Sequence, residues 1–164
     1  MQVAIIADLH NNLDAWHKIK EILNWQNIKH LIVAGDITSI ETLDNIAKDY
    51  QGEIEVVFGN MDQNPQLMEL FDDKYSHMHI HGFNGAIIID NKNFLLSHYQ
   101  QELEDQAKVK QGFYILCCGH THEKKELRKD NYLIINPGTA GGIFQNPSFA
   151  VYDTTQDQVK FIDL

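Results

Sequence analysis

The chain has 164 residues, of which 43% are hydrophobic and 22% charged, a composition typical of a soluble globular protein and not of a disordered one. This length predicts one domain spanning residues 1–164 with its own buried core. The net charge of -10 argues against a broad basic surface, so a nucleic-acid polymer is disfavoured as substrate or partner. The apolar runs are too short to span a bilayer and form no signal peptide, which predicts no membrane insertion and a cytoplasmic location.

The first half of the chain alternates apolar runs with segments of helical periodicity. Largely apolar runs without regular alternation predict strands covered on both faces, at residues 2–7, 30–34 and 54–58. Apolar residues recur every three or four positions from Leu13, with Asn12 as a candidate N-cap, and again from Ile40 to Ala47. This alternation of strand and helix is typical of βαβ units and predicts a parallel sheet.

After Pro65 the pattern changes to short strands and turns. Helices are predicted at residues 65–71 and 102–111, and a further buried strand at residues 113–118. Hairpins are predicted around residues 90–93, around residues 129–131 and within residues 149–164. Two packed sheets with helices outside satisfy both halves, so the expected fold class is α/β.

Side chains that can bind metal collect at the carboxyl ends of the apolar runs, where open α/β sheets place their ligand sites. The set is Asp8, His10, Asp36, Asn60, His98, His120 and His122. Glycines precede Asp36, Asn60 and His120, which leaves room for close approach of the backbone. Seven candidates are too many for one tetrahedral zinc ion and suit two divalent cations that share a carboxylate. Two such cations would attract an anionic phosphate.

Each of these short motifs also has a common structural explanation. A Gly-Asp or Gly-Asn pair is usually a turn, and a single histidine at a strand end is more often solvated than bound to metal. If strand geometry persists, the pairs Asp8/His10 and His120/His122 each point in one direction. The ordered set of motifs at five strand ends is what indicates a metal site.

Two other groups of residues are predicted to carry no metal chemistry. The adjacent Cys117 and Cys118 point to opposite faces of a strand, so they are expected to be small buried hydrophobic residues without a disulfide. The alternating His77, His79 and His81 are expected to form a solvated polar face, with the apolar residues between them on the other face.

Taken in chain order, the motifs D-x-H, G-D, G-N-x-D, H and G-H-x-H resemble those of the calcineurin-like metallophosphoesterases. The short length, GHTH at 119–122 and NPGT at 136–139 resemble the small YfcE-like phosphodiesterase branch. The resemblance extends from Asp8 to Thr139. It implies two mixed β-sheets packed as a sandwich flanked by helices. It also implies two divalent metal ions, most often manganese, with iron, zinc or nickel as alternatives.

The resemblance further implies a role for each ligand candidate. One metal ion would be held by Asp8, His10, Asp36 and His122, and the other by Asp36, Asn60, His98 and His120. Asp36 would then bridge the ions, and Asp36, Asn60 and His98 are the residues assigned to catalysis. The implied reaction is hydrolysis of a small soluble phosphate ester, in which a hydroxide bridging the metals attacks phosphorus.

This chain departs from the family's pattern at several positions. Met61 stands where many relatives have histidine, and a thioether has no useful proton to give a leaving group. General acid catalysis typically contributes ~10²–10⁴-fold, so poor leaving groups are expected to be cleaved slowly. Tyr99 replaces a frequent glycine and is expected to line the entrance. Asp62 is expected to support a ligand histidine, and Thr139 to stabilise a turn.

Three other functions are compatible with parts of this pattern. A phosphomonoesterase would use the same ligand set. A non-catalytic interaction module, like the retromer subunit of this fold, would have lost parts of that set, whereas all seven positions are filled here. A nuclease would need a basic groove or an added domain, and neither is visible. Short exposed hairpins could pair between copies, so a homo-oligomer is compatible with the sequence.

Overall fold

The computed structural model describes residues 1–62 and 74–164, which form two β-sheets and three helices. The helices are α1 (Leu13–Trp25), α2 (Ile40–Asp49) and α3 (Gln100–Val109). The strands are β1 (Gln2–Ile6), β2 (His30–Ala34), β3 (Glu53–Val57), β4 (Met78–Ile80), β5 (Asn84–Ile89), β6 (Lys92–Ser97), β7 (Tyr114–Cys117), β8 (Lys124–Arg128), β9 (Tyr132–Pro137), β10 (Ser148–Asp153) and β11 (Gln158–Asp163). The helix predicted at residues 65–71 lies outside the described residues.

Both sheets mix parallel and antiparallel strands. The six-stranded sheet has the order β11-β10-β1-β2-β3-β4, in which β1 to β4 run parallel and β10 pairs antiparallel with both β1 and β11. The five-stranded sheet has the order β5-β6-β7-β9-β8, with β6, β7 and β9 parallel and the two edge strands antiparallel. The predicted hairpins are β5–β6, β8–β9 and β10–β11.

The core has three layers of apolar side chains. Between the sheets, residues such as Ile5 and Ile32 of the first sheet pack with Phe94 and Ile115 of the second. A second layer lies between the six-stranded sheet and helices α1 and α2, and a third between the five-stranded sheet and α3. β1 and β2 are therefore buried on both faces after their first residue, as their lack of alternation predicts, whereas β3 keeps the partly exposed Glu55 between its apolar residues. The sandwich flanked by helices is confirmed.

Helices α1 and α2 each begin directly after a residue whose side chain caps the helix. The Asn12 side chain accepts the N–H of Ala15 and caps α1, as predicted, and the Ser39 hydroxyl accepts the N–H of Thr42 to cap α2. Helix α3 begins two residues before its predicted start and has no side-chain cap at Tyr99. The boundary is hard to read from the sequence because that cap signal is missing.

The cysteine pair and the three alternating histidines were predicted to carry no metal chemistry. Packing accounts for the positions of the cysteines, and polar contacts account for those of the histidines. Cys117 belongs to the layer between the sheets and Cys118 to the layer under α3, and both thiols are free. His79 and His81 lie 3.2 and 2.6 Å from carboxylate oxygens of the neighbouring strand β3, and His77 contacts a backbone carbonyl of α2. No helix in residues 1–62 or 74–164 has the length and apolarity needed to cross a membrane.

Candidate metal centre

Five of the seven ligand candidates lie just beyond strand ends and have left-handed backbone conformations. Their φ angles lie between 48° and 70°, at Asp8, His10, Asp36, His120 and His122. Such angles are uncommon outside glycine and cluster at functional sites. Extended strand geometry therefore does not continue through the pairs Asp8/His10 and His120/His122. The condition under which the two side chains of each pair would point in one direction is not met. His120 turns towards His98, whereas the ring of His122 lies 5.3 Å from that of His10.

The loops bring five of the candidates together at the carboxyl ends of β1, β2, β6 and β7. Asp8 Oδ1 lies 3.2 Å from His122 Nε2, 3.8 Å from His98 Nε2 and 3.9 Å from His10 Nε2. Asp36 Oδ2 lies 3.4 Å from His98 Nε2 and 3.8 Å from His10 Nε2. Two compact groups of donor atoms result, Asp8 with His10 and His122, and Asp8 with Asp36 and His98. Asp8 is common to both groups. Asp36, to which the resemblance assigns the bridging role, also lies 3.8 Å from His10 of the first group.

The remaining two candidates, Asn60 and His120, form a pair at the exposed rim. Asn60 Oδ1 lies 3.1 Å from His120 Nδ1 and accepts a hydrogen bond from the Tyr99 hydroxyl at 3.2 Å. The Tyr99 ring packs edge-on against His120, with ring centroids 4.7 Å apart. His120 in turn lies 5.2 Å from the buried ring of His98, which connects the rim to the buried group. Tyr99 thus stands at the edge of the site, where the sequence placed it.

Three buried donor atoms in this centre lack a hydrogen-bond partner. They are Asp8 Oδ1, His10 Nε2 and His98 Nε2. Buried polar atoms are nearly always paired, since leaving one unpaired costs ~1–3 kcal/mol. The opposite ring nitrogens of His98 and His122 contact the backbone carbonyls of Ala34 and Ile143 at 2.8 and 2.9 Å. A carbonyl can only accept, so it fixes the proton on Nδ1 and leaves Nε2 as a ligand. The donor set fits a cation.

Burial and neighbouring charges set the acidities of the two carboxyl groups differently. Burial raises the pKa of Asp8 to about 6, although His98 and His122 oppose the shift. Burial alone would also raise the pKa of Asp36, but the nearby His98 ring and the Met61 N–H outweigh it and lower that pKa below its ordinary value. A bound cation would compete with the proton on Asp8, which couples metal affinity to pH.

The acidity of the imidazoles also depends on burial. Burial lowers the pKa of His10 and of His120, which favours the neutral ring that binds metal. Burial would lower the pKa of His98 as well, but the adjacent Asp36 and the Ala34 carbonyl raise it overall. A protonated imidazole is therefore most favoured at His98, which lies beside the Asp36 carboxylate.

The glycines that precede the ligands make room for the site. A Cβ atom at Gly59 would lie 2.1 Å from Asp36 Oδ1, and one at Gly119 would lie 2.8 Å from Asp8 Oδ2. A real Cβ could not occupy either position without moving a carboxylate of the site. The close backbone approach predicted from the sequence is confirmed at both positions.

Asp62 has a different role from the one predicted. Its carboxylate accepts the backbone N–H groups of Gly59, Thr38 and Asp36 at 2.6, 2.7 and 3.0 Å. It therefore ties the loop after β2 to the loop after β3, and among the described residues its hydrogen bonds are to these backbone groups and not to a histidine. Thr139 behaves as predicted, since its hydroxyl donates to the Asp8 carbonyl and accepts the N–H of Ile143.

Asp62→Asn is expected to lower the free energy of unfolding by about 2–4 kcal/mol in metal-free buffer. An amide presents an NH₂ group to at least one of three buried N–H donors, and hydrogen bonds to charged groups contribute ~1.5–3 kcal/mol each. Urea titrations of the two proteins in the presence of EDTA measure the difference. Asp130→Asn, an exposed carboxylate in the turn between β8 and β9, is the control. Equal midpoints for Asp62→Asn and the control would contradict the assigned role.

The donor atoms open into a cleft of about 410 Å³. Its lining comprises His10, Asp36, Asn60, Met61, His120, His122, Ile143 and Phe144. None of these described lining residues is Lys or Arg. Ile143 and Phe144 were not predicted as site residues. They could have been found as a pair of apolar residues that comes shortly after the NPGT turn and directly after Gly141 and Gly142.

Comparison with known proteins identifies the family. Residues 1–157 match the family described as the calcineurin-like phosphoesterase superfamily domain, so the chain belongs to this superfamily. Phosphodiesterase MJ0936 of Methanocaldococcus jannaschii is 29% identical over 167 residues, covering 100% of this chain and 99% of the relative. A solved structure of a novel archaeal phosphodiesterase has 27% identity and a TM-score of 0.91, with both chains covered completely.

A more distant structure shares the fold. YfcE, a phosphoesterase from E. coli, has 17% identity and a TM-score of 0.70, with 99% of both chains covered. The named homologues are phosphodiesterases and phosphoesterases, and hence hydrolases. The family and fold expected from the D-x-H to G-H-x-H series are confirmed.

Proposed function

We propose that this member of the calcineurin-like phosphoesterase superfamily is a phosphodiesterase that hydrolyses a small soluble phosphate ester with two divalent cations. The observation that carries the proposal is the convergence of Asp8 Oδ1, His10 Nε2 and His98 Nε2 as buried atoms without hydrogen-bond partners. The similarity to MJ0936, which is itself a phosphodiesterase, supports the reaction class.

The proposed ligands divide between the two groups of donor atoms. Asp8, His10 and His122 would hold one cation, and Asp36 and His98 the other, with Asn60 and His120 completing it from the rim. Asp36 and Asp8 each have neighbours in both groups of donor atoms, so either carboxylate could bridge the two cations. When bound, the cations would neutralise charge on the phosphoryl oxygens and lower the pKa of a water molecule. Manganese is the expected metal, with iron, zinc or nickel as alternatives, because imidazole and carboxylate ligands suit several of these ions.

The protein's own groups orient the ligands before any substrate arrives. The Met61 N–H donates to Asp36 Oδ1 at 2.8 Å, which leaves Oδ2 facing His98 and His10. The carbonyls of Ala34 and Ile143 hold two histidine rings in one tautomer. Nearly complete burial of Asp8 keeps water away from its carboxylate. Such preorganisation lowers the reorganisation cost at the moment of reaction.

The charge of the cleft favours a diester over a monoester. A phosphodiester carries one negative charge, whereas a phosphomonoester approaches two near neutral pH. The cleft offers no Lys or Arg among its described lining residues, so the cations are the source of positive charge there. A monoanionic group needs less positive charge than a dianionic one and can therefore be held by the cations alone.

The test is side-by-side hydrolysis of bis-p-nitrophenyl phosphate and p-nitrophenyl phosphate by manganese-loaded protein, with EDTA-treated protein as control. Both leaving groups depart readily, so a missing general acid does not hide activity. Metal-dependent turnover with the higher kcat/KM for the diester is expected. Turnover of the monoester alone would identify a phosphatase. No turnover of either, with metal bound, would leave a non-catalytic interaction module.

Met61→His is expected to accelerate hydrolysis of diesters with poor leaving groups by at least about tenfold. Met61 lines the cleft and lies beside Asp36, so an imidazole there could donate a proton to the leaving oxygen, an effect typically of ~10²–10⁴-fold. Rates for thymidine 5′-phenyl phosphate and thymidine 5′-p-nitrophenyl phosphate measure this, since only the first has a poor leaving group. Met61→Leu is the control. Equal acceleration of both substrates would argue against proton donation.

A further inference from the structure

Phe144 is a bulky residue at the mouth of the cleft that packing does not explain. Its side chain is 89% exposed, and its backbone is left-handed, with φ at 65°. That conformation is unfavourable for a bulky residue and persists only where the surroundings impose it. The Phe144 ring centroid lies 5.5 Å from that of His122, with the planes inclined by 38°. An aromatic face is thus presented to solvent directly beside a proposed metal ligand.

The loop that carries Phe144 is tied to the metal centre. The Gly141 N–H donates to the Asp8 carbonyl at 3.0 Å, and the Gly141 carbonyl accepts from Asn12 Nδ2 at 2.9 Å. The Ile143 carbonyl contacts His122 Nδ1 at 2.9 Å. These contacts fix the backbone next to Phe144 relative to the donor atoms, so the loop needs little reordering when a ligand binds.

The lining of the cleft combines polar and apolar side chains. Its polar members are His10, Asp36, Asn60, His120 and His122, and its apolar members are Met61, Ile143 and Phe144. Met61 is itself half exposed, which leaves its thioether accessible to a ligand. A phosphate held by the cations would therefore place one of its ester groups against apolar and aromatic surface. Exposed aromatic rings bind planar rings by stacking, which is largely independent of the ring's substituents.

We propose that Phe144 and Met61 form a subsite for a planar aromatic ring on the substrate, so that the enzyme acts on phosphodiesters in which one alcohol carries such a ring. This inference rests on the proposed phosphodiesterase function. The charges are consistent with it, because a ring and one phosphodiester group need no cation beyond the metals.

The test compares the binding of two slowly hydrolysed diesters, methyl phenyl phosphate and dimethyl phosphate. Inhibition constants against bis-p-nitrophenyl phosphate are measured on manganese-loaded protein. Ligand-observed NMR on zinc-loaded protein, which avoids the paramagnetism of manganese, gives the affinities directly. The wild type is expected to bind the phenyl ester about five- to tenfold more tightly, as one aromatic contact would provide. Phe144→Asn, which tolerates a left-handed backbone, is expected to reduce that ratio to near one.

Controls separate the ring contact from a general disturbance of the site. Dimethyl phosphate is expected to bind equally to the wild type and Phe144→Asn, and Phe144→Tyr is expected to keep the preference. Trp25→Leu, which removes another exposed aromatic ring at the end of α1, should also keep it. The proposal is overturned if the wild type shows no preference or if Phe144→Asn retains it. Failure of the phosphodiesterase function would appear instead as absence of diester turnover, while the NMR affinities still report on the ring subsite.

Discussion

Asp36→Asn is expected to lower manganese-dependent turnover of bis-p-nitrophenyl phosphate by about 10³-fold or more. The Asp36 carboxylate lies within 4 Å of both His98 and His10, so its loss removes negative charge from the middle of the donor set. Stabilisation of the transition state by a bound metal amounts to several kcal/mol, and each ~1.4 kcal/mol corresponds to a factor of ten in rate. The amide can still accept the Met61 N–H, so the fold is expected to persist.

Two measurements separate the loss of metal from the loss of chemistry in Asp36→Asn. Metal content per chain is determined by mass spectrometry after loading and desalting, and turnover is measured on the same sample. Asp130→Asn serves as the matched control, because it removes the same charge from an exposed turn. Asp36→Asn is expected to bind less metal than the control. Full metal content together with full activity would show that the proposed mechanism is wrong.

Gly59→Ala is expected to destabilise the fold by about 3 kcal/mol and to reduce metal binding. The added Cβ would lie 2.1 Å from Asp36 Oδ1 and 2.7 Å from the Asp36 backbone nitrogen, so the loop after β3 and the loop after β2 must move apart. Overpacking of this kind typically costs ~1–3 kcal/mol, and here the Asp36 carboxylate that must move is also a proposed metal ligand. Urea denaturation in EDTA measures the stability, and metal content is measured separately.

Gly82→Ala is the matched control for Gly59→Ala. No atom lies within 4 Å of a Cβ at Gly82, but its φ of +66° is left-handed, so only the conformational cost of ~1–2 kcal/mol is expected there. Metal content should be unchanged in this control. If Gly59→Ala were as stable as Gly82→Ala and bound metal normally, the close approach of the two loops would not be needed for the site.

The sequence predicted the elements whose signals are local. Largely apolar runs located β1, β2 and β3, and turn residues between apolar strands located the three hairpins. These signals work because burial on both faces and tight turns each restrict residue type over a few neighbouring positions. The start of α3 was predicted less well because Tyr99 supplies no side-chain cap.

Part of the candidate site could be predicted from the sequence for a related reason. Strand ends in a parallel arrangement meet at one edge of a sheet, so Asp8 and Asp36 could be expected together without knowledge of the loops. His98 follows a strand of the other sheet, so its place beside them depends on how the two sheets pack. The role of Asp62 could not be predicted in this way. Its carboxylate accepts N–H groups from Asp36 and Thr38, which lie 26 and 24 residues away in the chain, and no local pattern encodes such pairings.

The sequence by itself thus determined which residue types stand at the strand ends, and with them the family and the expectation of a metal centre. The tertiary structure alone decided that Asp8 is common to both groups of donor atoms and that Phe144 faces the cleft. The physical reason is the left-handed backbone of Asp8, His10 and Phe144. Side-chain direction in such loops depends on hydrogen bonds between distant segments, whereas in strands it follows from the alternation of the chain.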